Sequence, residues 1–169
     1  GDMSVFNSIA KQYGILKAED YDELVELAKM TQSKYPLTGK RFAVLSHSGG
    51  VSSYSGDQLG KYGLEVPEFS EKTQKAINAY LKDFGTSRNP VDMTGAHMRS
   101  DAIIDTVRII EENENIDAYL FATNGSPEQM KKPLLAAQSL RKPVFIVWTG
   151  SIYDEGLNSV RESGIPLCF

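Results

Sequence analysis

Apolar positions fall into two kinds of run along this chain. The first is short and unbroken: residues 42–45, 117–121 and 143–148 are apolar at nearly every position, as in strands covered on both faces. The second recurs every three or four residues and reads as helix. Val5, Phe6, Ile9, Ala10 and Tyr13 mark a helix over 2–13, closed by Gly14 as a left-handed cap. Residues 14–17 allow one brief strand, and Asp20 with Glu23 makes a capping-box-like start for a helix through Leu24, Val25, Leu27 and Ala28. After Pro36 and Gly39 break the chain, the strand at 42–45 ends at Ser48-Gly49-Gly50, and a helix begins near Val51. Residues 63–67 allow a second strand. Ser70 opens a helix with Ala76, Ile77, Tyr80 and Leu81 on one face, and Ser100 opens another with Ile103, Ile104, Val107 and Ile110. Between them, residues 87–95 read as a loop, because Pro90 pushes Asn89 to an extended conformation among polar neighbours.

The best-specified helix start lies after the strand at 117–121. Ser126 suits the N-cap, Pro127 the first helical position, and Gln129 completes a capping box. The strand at 143–148 runs into Thr149-Gly150-Ser151, residues 154–162 form a last helix, and the apolar residues 164–169 close the chain in a strand.

Short strands alternating with helices of ten or so residues imply parallel pairing with right-handed crossovers. The expected fold is α/β: a three-layer α/β/α, flavodoxin-like domain over 41–169 with a mainly parallel five-stranded sheet. Residues 1–40 form a helical lead-in from a preceding domain, too short to fold alone. In such a sheet every βα loop lies at the carboxyl edge, where ligands bind. Residues 46–50, 122–126 and 149–151 therefore converge, and two of these loops feed helix N-termini whose free N–H groups attract a phosphate or carboxylate. The candidate anion-binding residues are Ser48, Gly49, Gly50, Asn124, Gly125 and Ser126, with Asn89, Asp92 and Thr149 as pocket walls. Glu128 in the first turn already complements the helix dipole there.

Composition narrows the partners. The 169 residues carry 24% charged side chains and a net charge of −4, with no clustered basic patch for nucleic acid. No apolar run reaches the ~20 residues of a membrane-spanning helix, and the cytoplasm fits best. The single cysteine, Cys168, excludes an intramolecular disulfide and reads as a packed thiol; with two histidines it leaves no zinc cluster, so no metal site is expected. Asp57 reads as a solvated helical carboxylate, Trp148 as core, His47 as a locally bonded loop residue and His97 as a surface one. No nucleophile–base pair stands out.

The stretch Val44-Leu45-Ser46-His47-Ser48-Gly49-Gly50, with Asp57 and Gly63-Leu64, followed by Asn89-Pro90-Val91-Asp92-Met93-Thr94-Gly95, resembles the NDP-forming acyl-CoA synthetases, relatives of succinyl-CoA synthetase. The resemblance continues through residues 122–129 and 143–149 and covers essentially the whole chain. It implies the CoA-ligase flavodoxin-like domain of a larger enzyme that converts an organic acid, CoA and ATP into acyl-CoA, ADP and phosphate, by way of an acyl phosphate and a phosphohistidine. That histidine belongs to a Ser-His-Thr-Gly-Ser type loop of a neighbouring domain, a motif this sequence lacks, so neither His47 nor His97 takes its role and no catalytic residue is expected within the chain. The helix opened by Ser126 matches one of two helix N-termini that cradle the phosphoryl group, with Asn124, Gly125 and Ser126 lending N–H groups. CoA, ATP and Mg2+ serve the whole enzyme; the implied partners are a CoA-binding Rossmann domain and an ATP-grasp domain of the same or another chain, a homo-oligomer, and an organic acid or acyl phosphate. The chain reads as a fragment, inactive alone. An alternative is a non-catalytic acyl-CoA or anion-binding regulatory module, for example in an acetyltransferase fusion. A free-standing flavodoxin is disfavoured, since Ser-His-Ser-Gly-Gly-Val lacks a hydroxyl-rich phosphate loop with aromatic flanks.

Overall fold

The computed structural model describes residues 2–31, 33, 35–81 and 85–168; Phe169, which ends the last apolar run, lies outside them. Among the described residues five strands pair with one another in parallel, in the order β2-β1-β3-β4-β5, where β1 is Phe42–Ser46, β2 Val91–Asp92, β3 Ala118–Thr123, β4 Val144–Trp148 and β5 Leu167–Cys168, and Asp92 of β2 adds one isolated antiparallel bridge to Thr86. This is the flavodoxin-like order, and the expected three-layer α/β fold is borne out. The pleat divides each central strand between two cores. Ala43 and Leu45 of β1 join Tyr119 and Phe121 of β3 under one layer of helices, while Phe42 and Val44 join Ala118 and Leu120 on the other face. That two-sided burial is why these strands read as continuous apolar runs. Tyr119 satisfies its buried hydroxyl on Glu111 Oε1 at 2.7 Å, and burial followed by that carboxylate pushes the phenol well above its ordinary range.

The helices are α1 (Met3–Tyr13), α2 (Tyr21–Thr31), α3 (Gly49–Lys61), α4 (Glu71–Leu81), α5 (Thr94–Met98), α6 (Ala102–Asn113), α7 (Pro127–Ser139) and α8 (Glu155–Glu162). Gly14 adopts the expected left-handed cap at φ 64°. No strand forms over 14–17. Asp20 Oδ1 caps α2 through the Glu23 N–H at 2.8 Å, while Glu23 reaches back to the N–H of Glu19, one residue earlier than in a standard capping box. The apolar stripes of α1 and α2 stay largely open: Phe6 and Ile9 are each 45% exposed, Leu24 and Val25 each 53%. Glu26 ties α2 to the sheet edge by accepting the Leu167 N–H at 2.5 Å.

The edge of the sheet beside β1 differs from the sequence expectation. Residues 63–67 form no strand; only Glu65 pairs, opposite Arg41, and Pro67 has no N–H with which to continue. The second strand comes instead from the segment read as a loop, with Val91 opposite Leu45 and Asp92 opposite Ser46. Asn89 fills the gap between these pairings with its side chain. Its Oδ1 accepts the Val44 N–H at 2.9 Å and its Nδ2 donates to the Phe42 carbonyl at 2.6 Å, the two groups flanking Ala43 that a parallel strand residue would bond. Nδ2 also donates to Pro67 O at 3.0 Å. Asn89 is therefore a buried latch of the sheet: its carboxamide, expected at a pocket wall, bonds three backbone partners.

Candidate functional site

At the carboxyl edge three loops meet, as the alternation of elements requires. The first leads from β1 into α3. The helix starts at Gly49, two residues before the expected position, so both glycines lie in its first turn. Ser48 is the extended N-cap residue but makes no side-chain cap; the Ser46 hydroxyl holds this turn by donating to Ser48 O at 3.1 Å and accepting the Ser48 N–H at 3.2 Å. The Asp92 carboxylate lies directly over Gly49, where a Cβ would stand 2.9 Å from Oδ2, and its Oδ1 accepts the Thr94 N–H at 2.9 Å. The chain thus places its own carboxylate against the first turn of α3, a favourable position for negative charge.

The second loop leads from β3 into α7. The capping box is complete: Ser126 Oγ accepts the Gln129 N–H at 3.4 Å, and Gln129 Oε1 accepts the Ser126 N–H at 2.9 Å. The Ser126 N–H, expected to face an anion, is thereby used internally, and Pro127 has none to offer. Among the described residues, the N–H groups of Gly125, just before the N-cap, and of Glu128, in the first turn, have no intramolecular partner. Gly125 sits at φ 143°, where only glycine is at ease, and its carbonyl backs onto Gly156 in the first turn of α8, where any Cβ would collide with it.

Asn124 joins the loops into one site. Its Nδ2 donates to Thr149 Oγ1 at 3.2 Å and faces His47 Nε2 at 3.4 Å, while its Oδ1 accepts from Arg99 Nη2 at 2.8 Å. Arg99 Nη2 also reaches Asn124 O at 3.2 Å. The Ala122 carbonyl, 3.1 Å from His47 Nδ1, can only accept a hydrogen bond from that nitrogen, and the tautomer this requires leaves Nε2 to accept from Asn124 Nδ2. Beside this cluster opens a cleft of about 460 Å³ lined by Arg99, Asn124, Gly125, Ser126, Gln129 and Gly150 among others.

Of the residues singled out from sequence, Asn124, Gly125 and Ser126 line the cleft, and Thr149 braces Asn124. Ser48, Gly49, Gly50 and Asp92 gather at the neighbouring N-terminus of α3. Asp57 is exposed. Trp148 is buried with its indole N–H on Ser151 O, and His97 Nδ1 pairs with Thr94 Oγ1 at 3.0 Å. Sequence reasoning missed Arg99, because nothing in its local pattern separates it from a surface arginine. Among the described residues no three His, Cys, Asp or Glu side chains are grouped for a metal ion, and no helix is long and apolar enough to cross a membrane.

No protein-family model matches the chain. It is 25% identical over 176 residues to the α subunit of ADP-forming acetate–CoA ligase II from Pyrococcus furiosus, covering 98% of this chain and 38% of that one. It is 28% identical over 171 residues to ADP-forming acetate–CoA ligase I from Archaeoglobus fulgidus, covering 100% of this chain and 24% of the relative. Among solved structures, the apo form of the dinucleotide-forming acetyl-coenzyme A synthetase 1 of Candidatus Korarchaeum cryptofilum is 24% identical and has a TM-score of 0.77, over 99% of this chain and 38% of its own; that likeness shows the shared fold. The resemblance drawn from the loop motifs is borne out: along its whole length the chain is similar to part of ADP-forming CoA ligases. It spans 24% to 38% of the length of these relatives.

Proposed function

We propose that residues 41–169 are the flavodoxin-like ligase domain of an NDP-forming acyl-CoA synthetase, which makes acyl-CoA, ADP and phosphate from an organic acid, CoA and ATP. The observation that carries this reading is the end-to-end similarity of the chain to ADP-forming acetate–CoA ligases; the loop over 122–129, through which the resemblance continues, lines the cleft. In the proposed reaction the acid's carboxylate attacks the phosphorus of a phosphohistidine held by a companion domain. The resulting acyl phosphate is then opened at its acyl carbon by the CoA thiol, releasing phosphate.

The share of this chain is electrostatic. The fixed N–H dipoles of Gly125 and Glu128, at the N-terminus of α7, face the negative charge that builds on the phosphoryl oxygens and need no reorganisation to do so. Asn124 holds their loop against Thr149 and Arg99. The donor set described above does not fit a metal ion, so Mg2+, together with ATP, is assigned to a companion ATP-grasp domain and CoA to a Rossmann domain, in the same or another chain. The reading favours an acid-accepting site that closes only when those domains, or further subunits, are in place.

The experiment uses the full natural protein with labelled ATP and magnesium. An acid-labile, alkali-stable phosphoryl label that an organic acid plus CoA discharges is the expected result. A folded full-length protein that carries the companion histidine loop yet takes up no label would overturn the synthetase reading in favour of a non-catalytic anion-binding module.

A further inference from the structure

Arg99 is an arginine with unspent hydrogen-bonding capacity. No carboxylate lies within ion-pair distance of it among the described residues. Its Nη2 is anchored twice on Asn124, through the backbone carbonyl and the side-chain oxygen. Its Nε is fully buried with no hydrogen-bond partner, and its Nη1, beside Gly95, makes no hydrogen bond. A guanidinium offers five N–H donors and cannot shed its charge, so an unpaired one kept in a fixed pose at the wall of a cleft is costly unless something else pairs with it.

The open backbone donors beside Arg99 favour an anion as the missing group. The Gly125 and Glu128 N–H groups are without intramolecular partners at the N-terminus of α7, in the same loop that Arg99 holds. Two carboxylates, Asp154 and Glu155, line the same cleft, and among the described residues neither pairs with Arg99; Asp154 Oδ2 accepts the Ser151 N–H at 2.9 Å. Glu155 is exposed at the rim.

We propose that Arg99 is the oxyanion-binding residue of this cleft, holding a carboxylate or phosphoryl group between its guanidinium and the open N–H groups that begin α7. Assigning that oxyanion to the acid substrate or its acyl phosphate rests on the synthetase reading; the binding itself does not.

The test is an NMR titration of the isotopically labelled protein, at constant ionic strength, with inorganic phosphate in one arm and acetate in the other. The Arg99 Nε–H and the amides of Gly125 and Glu128 shift together and saturate with at least one anion, and the arm that does so identifies the group held. Arg99→Gln weakens that binding about tenfold or more, as loss of a charge-assisted hydrogen bond implies, and Arg99→Lys, which keeps charge but not the planar fork, weakens it less. Because Arg99 also holds Asn124, the native Arg99 Nε–H resonance supplies a readout that needs no variant. Absence of saturable shifts in both arms overturns the proposal, as does unchanged affinity in an Arg99→Gln protein with an otherwise native spectrum. The two readings fail separately: a phosphoryl label with no Arg99-dependent anion binding sinks this inference alone, whereas Arg99-dependent binding without a label sinks the synthetase alone.

Discussion

Asn89→Ala removes a side chain that acts as a strand residue. The substitution strands the Val44 N–H and the Phe42 carbonyl within a fully buried strand, and the Pro67 carbonyl beside them. A buried polar group left unsatisfied costs about 1–3 kcal/mol, and relaxation or an entering water recovers part of it, so the net loss is about 3 kcal/mol. With a urea dependence of about 2 kcal/mol per molar for a domain of this size, the unfolding midpoint falls by about 1.5 M. Asn89→Asp separates geometry from polarity. It keeps the acceptor for Val44 but turns an oxygen towards two carbonyls, so the variant unfolds more easily at pH 8, where the carboxylate is charged, than at pH 5. Urea unfolding followed by circular dichroism measures both. A loss below about 1 kcal/mol for Asn89→Ala, with an unchanged urea dependence, would refute the latch. The same variant, studied under folding conditions, retains the anion response of Gly125 and Glu128, since the three bonds lie below the cleft.

Gly156→Ala drives a methyl group into the Gly125 carbonyl, so α8 must shift from the α7 loop; the expected cost is about 1–3 kcal/mol in thermal or urea unfolding, with a weakened anion response. Ser126→Ala opens the capping box and costs about 1 kcal/mol in the same assay, while releasing the Ser126 N–H only if Gln129 swings away, which the exchange rate of that amide reports. Burial raises the Glu114 carboxyl, but hydrogen bonds from Thr73 and Ser70, with Arg41 nearby, outweigh it and hold the group below its ordinary 4.5. Its stabilisation is therefore present above about pH 4.5 and lost as pH falls through the lower folded value; Glu114→Gln flattens that acid limb of the stability profile. Burial, with Glu26 beside it, raises the Cys168 thiol, so a maleimide or disulfide reagent at neutral pH reacts with the native protein far more slowly than with the urea-unfolded one.

What the sequence disclosed about this fold depended on whether each element is specified locally. The β1, β3 and β4 strands show as unbroken apolar runs because both faces are covered, and the start of α7 shows because Ser126, Pro127 and Gln129 satisfy one another within four residues. The β2 strand is hidden for the opposite reason: two residues long, it follows a proline, and its pairing at Ala43 is made by a side chain whose role depends on Phe42 and Val44, more than forty positions away. Residues 63–67 have the composition of a strand, yet beside Pro67 only Glu65 finds a ladder partner.

The site divides along the same line. Parallel topology alone brings the loops after β1, β3 and β4 to one edge, so Asn124, Gly125 and Ser126 could be placed there without coordinates. Which of their donors remain open could not, because the capping box that makes the α7 start legible also consumes the Ser126 N–H counted among the candidate anion donors. The remaining donors, Gly125 and Glu128, acquire a cationic neighbour only because α5 and α6 pack so that Arg99 meets Asn124 across 25 residues of chain. A well-capped helix N-terminus is thus a poorer anion site than its sequence implies, and in this cleft the deficit is met by a guanidinium that carries charge where the helix has spent its own donors.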